Sequence, residues 1–200
     1  MFEKSFPKIL FLTKEPNFLA EDTKTEEEPD YRTWWSNENG LYDRFTYRIA
    51  EWAHGMLNGF PEYDEIWPVI SGNKYDSSMA LKALASIAFM NIKKSGGGGN
   101  SNQPEIDNYL KDHKSLILKQ IEIIQPDIII QGLTRRSIVR GFYGDVVWHP
   151  TGYTIEVARF QYQGINAKII DFYHPSTRSS AAALYCLLEK VCKSNVFQER

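Results

Sequence analysis

Two hundred residues, 42% of them hydrophobic, suffice for one substantial core, and no Gly/Pro/Ser-rich linker divides the chain, so a single domain over residues 1–200 is expected. A formal net charge of −2 excludes a uniformly basic surface that coats nucleic acid, and any polyanion must be met by a local patch. Two cysteines, Cys186 and Cys192, cannot build a four-thiolate iron–sulfur cluster or a Cys-rich zinc site.

Met1-Phe2-Glu3-Lys4 lacks the apolar core of a signal peptide and no apolar run reaches bilayer length. A soluble, cytoplasmic protein without a membrane partner is expected. Residues 8–13 (Lys-Ile-Leu-Phe-Leu-Thr) form a continuous apolar stretch stopped by Pro16, the pattern of a central strand. Glu21, Asp22, Glu26, Glu27, Glu28 and Asp30 then concentrate acid in a segment that reads either as a solvated loop or as a gate beside a crevice. Leu41, Phe45, Ile49, Trp52 and Met56 recur at helical spacing, and Gly59 and Pro61 close that amphipathic helix.

Residues 65–70 read as a short strand that Pro68 confines to a sheet edge. Asp76 or Ser77 caps a predicted helix through Ala85, and residues 87–91 make another buried strand. That strand runs into Ser95 and four consecutive glycines, which suit either a floppy linker or close backbone approach to a ligand. A long helix is predicted over residues 104–125, with Pro104 in its first turn, followed directly by the strand of residues 126–132. Helix, tight turn and parallel strand are the unit of a doubly wound α/β sheet. Residues 134–140 begin a helix carrying Arg135, Arg136 and Arg140; residues 153–162 and 165–172 form a hairpin around Gln163-Gly164; residues 179–193 form a closing helix. On that helix Cys186 and Cys192 lie on different faces, against a disulfide and in keeping with a reducing compartment.

Three segments follow predicted strands: Leu12-Thr13-Lys14-Glu15-Pro16-Asn17, Ala88-Phe89-Met90-Asn91-Ile92-Lys93-Lys94 and Tyr173-His174-Pro175-Ser176-Thr177-Arg178. In an open α/β sheet the carboxyl ends of parallel strands border the ligand crevice, so a carboxylate, a carboxamide and an imidazole could converge there. In this order the segments resemble the uracil-DNA glycosylase superfamily, with Glu15-Pro16 at its first motif, Asn91 at its base-reading asparagine and His174-Pro175-Ser176 reproducing its last. Residues 118–132 are also similar to the family's helix and strand before its third loop. The resemblance covers most of the chain and implies a three-layer α/β/α sandwich with a short, mostly parallel central sheet. It departs at Thr13, which replaces a glycine, at Lys14, at the acidic segment, and at Thr177-Arg178, which replaces the Pro-Leu wedge of the classical branch; the single-strand-selective branch has arginine there.

The implied activity is a monofunctional DNA glycosylase in base-excision repair, hydrolysing the N-glycosidic bond of uracil or a related deaminated base with neither metal nor other cofactor. Its partner would be single-stranded DNA or a damaged duplex from which the base is flipped. Glu15 would stabilise the sugar cation and orient or deprotonate water, help worth about 10²–10⁴-fold. His174 would donate to the base oxygen as charge accumulates, for roughly 3–4 kcal/mol, and a neutral imidazole suffices. Asn91 would read the base edge with its donor and acceptor. Phe18 is the nearest aromatic for stacking, with Tyr31, Trp34 and Trp35 as rivals. Lys93, Lys94, Ser95, Ser176 and Ser179 would hold phosphates while Arg178 fills the vacated space. His149-Pro150 has a similar local sequence but follows a weaker strand. Two other readings stay open: a catalytically silent protein that binds a nucleobase or nucleic acid, and a hydrolase or transferase acting on free nucleosides or nucleotides.

Overall fold

A computed structural model describes residues 2–15, 44–67, 78–94, 102–133 and 142–199. A mixed sheet of six strands forms its centre, in the order β2-β1-β3-β6-β5-β4. β1 (Ile9–Thr13), β2 (Ala88–Asn91), β3 (Ile128–Gln131) and β6 (Ile165–Asp171) run parallel, while β5 (Glu156–Tyr162) and the short β4 (His149–Pro150) add an antiparallel edge. All five residues of β1 are buried, as a central strand covered on both faces requires of a continuous apolar run.

Side-chain alternation sends β1 into two cores. Ile9 and Phe11 pack with α1 (Arg44–Leu57), α3 (Ser78–Ala85) and α5 (Ala181–Lys193), whereas Leu10 and Leu12 pack with α4 (Gln103–Ile124). Helices thus cover both faces, an arrangement compatible with a three-layer sandwich. In the first core Trp52 stacks near Phe11 and takes the edge of Phe172 at 5.0 Å between ring centroids. No helix among the described residues is long and apolar enough to cross a membrane.

Local chemistry sets the register. Helix α4 ends at Gln125, whose left-handed backbone (φ 49°) lets its N–H close onto the Ile121 carbonyl before Pro126. Asp127 then accepts from the Lys8 N–H at 2.8 Å and donates its own N–H to the Lys8 carbonyl, which aligns β3 with β1. Gln163 and Gly164 turn β5 into β6, both at positive φ as a tight two-residue hairpin demands. Ser180 caps α5 by accepting from the Ala183 N–H.

One predicted element is corrected. Residues 65–67 lie in a short helix, α2 (Tyr63–Trp67), rather than in an edge strand. Asp64 and Glu65 in its first turn suit a helix N-terminus, and a short apolar run does not by itself separate the two periods. Residues 68–70, the capping positions Asp76 and Ser77, and residues 134–140 lie outside the described residues. Cys186 and Cys192, both on α5, are free thiols.

Candidate functional site

The ends of the four parallel strands are stitched together beyond the strands themselves. Ile92 N–H donates to the Thr13 carbonyl at 2.9 Å and Lys93 N–H to the Lys14 carbonyl at 2.8 Å. On the other side Gly132 N–H reaches the Leu12 carbonyl and Phe172 N–H the Gln131 carbonyl. This pairing sets Glu15, Asn91 and the segment leading to His174 at the carboxyl ends of the parallel strands, the end at which open α/β sheets bind ligands.

Thr13 and Asn91 are register partners, and the Thr13 hydroxyl donates to the Asn91 side-chain oxygen. That bond orients the carboxamide: its NH2 group keeps both donors, and Oδ1 keeps a second lone pair. Two residues earlier on β2, Phe89 meets Phe45 of α1 edge-on at 5.7 Å, and Phe45 meets the His174 ring at the same separation. A row of rings therefore joins the β2 end to the loop after β6.

His174 is held in one protonation state. Burial, and then the positive charge of Lys14, push its pKa from 6.5 down to about 4, so the imidazole is neutral near pH 7. Its Nδ1 accepts from the Ser176 N–H at 3.2 Å, which leaves the ring proton on Nε2 as a donor. The loop that carries it is clamped from α1. Arg48, 5% exposed, donates to the carbonyls of Pro175, Thr177 and Ser179 at 3.2, 2.7 and 2.6 Å. Gly132 provides the space beneath: a Cβ there would lie 3.1 Å from the His174 Cα and 3.2 Å from Pro175 Cδ. Ser176, Arg178 and Ser179 are exposed on this loop.

Glu15 is enclosed, and its Oε2 accepts from the Lys93 ammonium at 3.0 Å with side-chain exposures of 2% and 5%. Lys93 also pairs with Glu105, in the first turn of α4, at 2.9 Å. The hydrogen bond that Lys93 donates to Glu105 is the strongest influence holding the Lys93 pKa above its ordinary value; burial opposes it and Glu15 reinforces it. Lys93 is thus a buried ion-pair partner of two carboxylates, where a solvated phosphate contact was expected. Lys94, exposed as a residue, donates from Nζ to the Asn91 carbonyl at 2.6 Å, and protein crowded around that ammonium pushes its pKa down to about 8. Phe18 and Ser95 lie outside the described residues, as do Tyr31, Trp34 and Trp35.

The structure therefore brings Asn91 and His174 into one neighbourhood through Phe89 and Phe45. Glu15 is joined to it through the backbone pairing at Lys14, whose charge bears on His174, while its carboxylate is bonded to Lys93. His149, the look-alike, sits in edge strand β4. Among the described residues no group of three or more His, Cys, Asp and Glu side chains is arranged to hold a metal. Sequence reasoning missed Arg48, Gly132, Thr13 and Phe45 as parts of the site. Only Gly132, a glycine at a strand end, carried a local signal, that of close backbone approach.

No family model, curated protein or solved structure matches the chain. His174 presents a neutral N–H donor and Asn91 an unspent NH2 group, the kind of groups that pair with the edge of a heteroaromatic ring, while the Glu15 carboxylate is buried against Lys93.

Proposed function

We propose that this protein is a DNA glycosylase, with the fold of the uracil-DNA glycosylase superfamily, that hydrolyses the N-glycosidic bond of uracil or a related deaminated base. The observation that carries the reading is the state of His174. With Nδ1 committed to the Ser176 N–H and the ring neutral, Nε2–H is a donor for a base carbonyl that gains negative charge as it departs.

In this reaction the C1′–N bond breaks with its electron pair going to the base, whose oxygen is met by His174. Asn91 reads the adjacent edge, for roughly 1–3 kcal/mol of discrimination between bases. Glu15 faces the sugar cation and takes up or orients the proton of the water that adds to C1′. Lys93 is the positioning residue that fixes the Glu15 carboxylate. Arg48 does the same for the His174 loop. Arg178, Ser176 and Ser179 are exposed where phosphates of single-stranded DNA or a damaged duplex would pass.

One observation favours a second reading, a base-binding protein without turnover: an ammonium already occupies the Glu15 carboxylate. A panel of modified-base oligonucleotides, single- and double-stranded, treated with alkali to reveal abasic sites, decides between them. Base release that falls about 10²–10⁴-fold in Glu15→Gln and about tenfold or more in Asn91→Ala is the expected result. Binding without release from any damaged base, insensitive to Glu15→Gln, overturns the glycosylase in favour of the binder. Release from mononucleosides alone moves the activity to free nucleosides.

A further inference from the structure

Thr13 ends β1 and Asn91 ends β2, and the two are register partners. Alternation puts Thr13 on the side of Ile9 and Phe11 and Asn91 on the side of Phe89, toward the α1 core; Phe45, whose ring meets that of His174, lies there too. Thr13 is 1% exposed, whereas Asn91 is partly open to solvent. One side chain is thus enclosed and the other presented.

The backbone of Asn91 is held independently of Thr13's hydroxyl. The Ile92 N–H donates to the Thr13 carbonyl at 2.9 Å, and the Lys94 ammonium donates to the Asn91 carbonyl at 2.6 Å. Only rotation of the carboxamide remains to be fixed. Its oxygen and its NH2 group are nearly equal in size, so hydrogen bonding rather than packing chooses between the two orientations.

The Thr13 hydroxyl makes that choice. Its single proton goes to Asn91 Oδ1, and among the described residues it has no other acceptor. With the carboxamide turned over, the NH2 group would donate to the same hydroxyl, and the Thr13 proton would be left in a buried place without its acceptor. A buried donor that loses its partner carries the full cost of desolvation, whereas an oxygen with a spare lone pair costs less. The orientation seen is therefore the favoured one, and it leaves the NH2 group for a ligand. Glycine, which stands at this position in the resembled superfamily, has no hydroxyl to give.

We propose that Thr13 is a specificity-determining residue: its hydroxyl locks the Asn91 carboxamide with the NH2 group outward, so that the site selects a ring edge offering a carbonyl oxygen over one offering an amino group. The inference rests on the glycosylase reading for the base in question and adds the residue that sets the choice. An amino group brought to Asn91 sets donor against donor, and the carboxamide escapes that clash only by turning over and orphaning the Thr13 proton.

The test measures binding of free uracil and free cytosine to the full chain by isothermal titration calorimetry. The parent should bind uracil at least about tenfold more tightly. Thr13→Val, which keeps the branched shape and has no hydroxyl, should reduce that ratio by about tenfold. Thr13→Ala should do the same should valine disturb the strand, while Thr13→Ser, which keeps the hydroxyl, should retain the parent's ratio. A ratio unchanged in the valine and alanine variants, an equal loss of both bases in them, equal binding of the two bases by the parent, or binding of neither overturns the lock. Base release measured in parallel on uracil-containing strands separates the two ideas. Release that persists while the ratio ignores Thr13 discards the lock and keeps the glycosylase. A Thr13-dependent ratio, with no release from any strand, does the reverse.

Discussion

The loop after β6 and the loops after β1 and β2 meet at the same end of the sheet, yet they are secured by opposite means. The His174 loop hangs from neutral backbone carbonyls gripped by one buried guanidinium, Arg48. Glu15 is secured by formal charges, a buried carboxylate against a buried ammonium with Glu105 behind it. A guanidinium fork on several carbonyls fixes a shape without depending on the ionisation of a partner. A buried ion pair contributes little net stability while intact, but removing one partner is costly. The His174 loop is thus held by the shape of a guanidinium fork, and the Glu15 carboxylate by opposite charge.

The sharpest way to break this contrast is Lys93→Met, which strands the Glu15 carboxylate in the protein interior. A loss of about 3–5 kcal/mol of unfolding free energy is expected in urea titrations. The Glu15→Gln/Lys93→Met double variant should recover part of it, since both charges are gone; a single-variant loss below about 1 kcal/mol would show a solvated pair. Arg48→Met should come next, at about 2–4 kcal/mol, as three carbonyls lose a charged donor. Arg48→Lys should restore only a fraction, because an ammonium cannot reproduce the fork, and full rescue by lysine would mean that charge rather than shape holds the loop.

Gly132→Ala asks how tightly the His174 loop is seated. The new methyl would press on the His174 and Pro175 backbone at 3.1–3.3 Å, and a cost of about 1–3 kcal/mol should appear in thermal unfolding. The imidazole resonances should shift with it; unchanged stability and resonances would show a loop free to move away. The ionisation of His174 adds a dependence on pH. The unfolded chain protonates His174 from about 6.5 downward, whereas the folded chain does so only near 4. Stability from this residue is therefore complete above pH 6.5 and is lost as the pH falls toward 4. NMR titration of the ring between pH 8 and 5 should show it neutral throughout, and a midpoint near 6.5 would remove the neutral donor from the mechanism.

Much of the frame was readable because it follows from local periodicity. The continuous apolar run of β1, the helical spacing of α1 and α4, and Gln163-Gly164 between β5 and β6 each state their structure within a few residues. Residues 65–67 were misread where that signal is weakest, in a segment too short to display a period. Asn91 and His174 could be proposed because each ends or follows an apolar strand, and strand ends in such sheets face ligands.

What the sequence by itself determined, then, was the class of fold and which residue types stand at the strand ends, since backbone propensity and hydrophobic alternation act over short range. Tertiary structure alone decided that Arg48 grips a loop more than a hundred residues away, that Lys93 is spent on Glu15 and Glu105, and that the His174 proton sits on Nε2. Those outcomes depend on which charges and carbonyls share a buried space, and that is settled only when distant strands and helices pack.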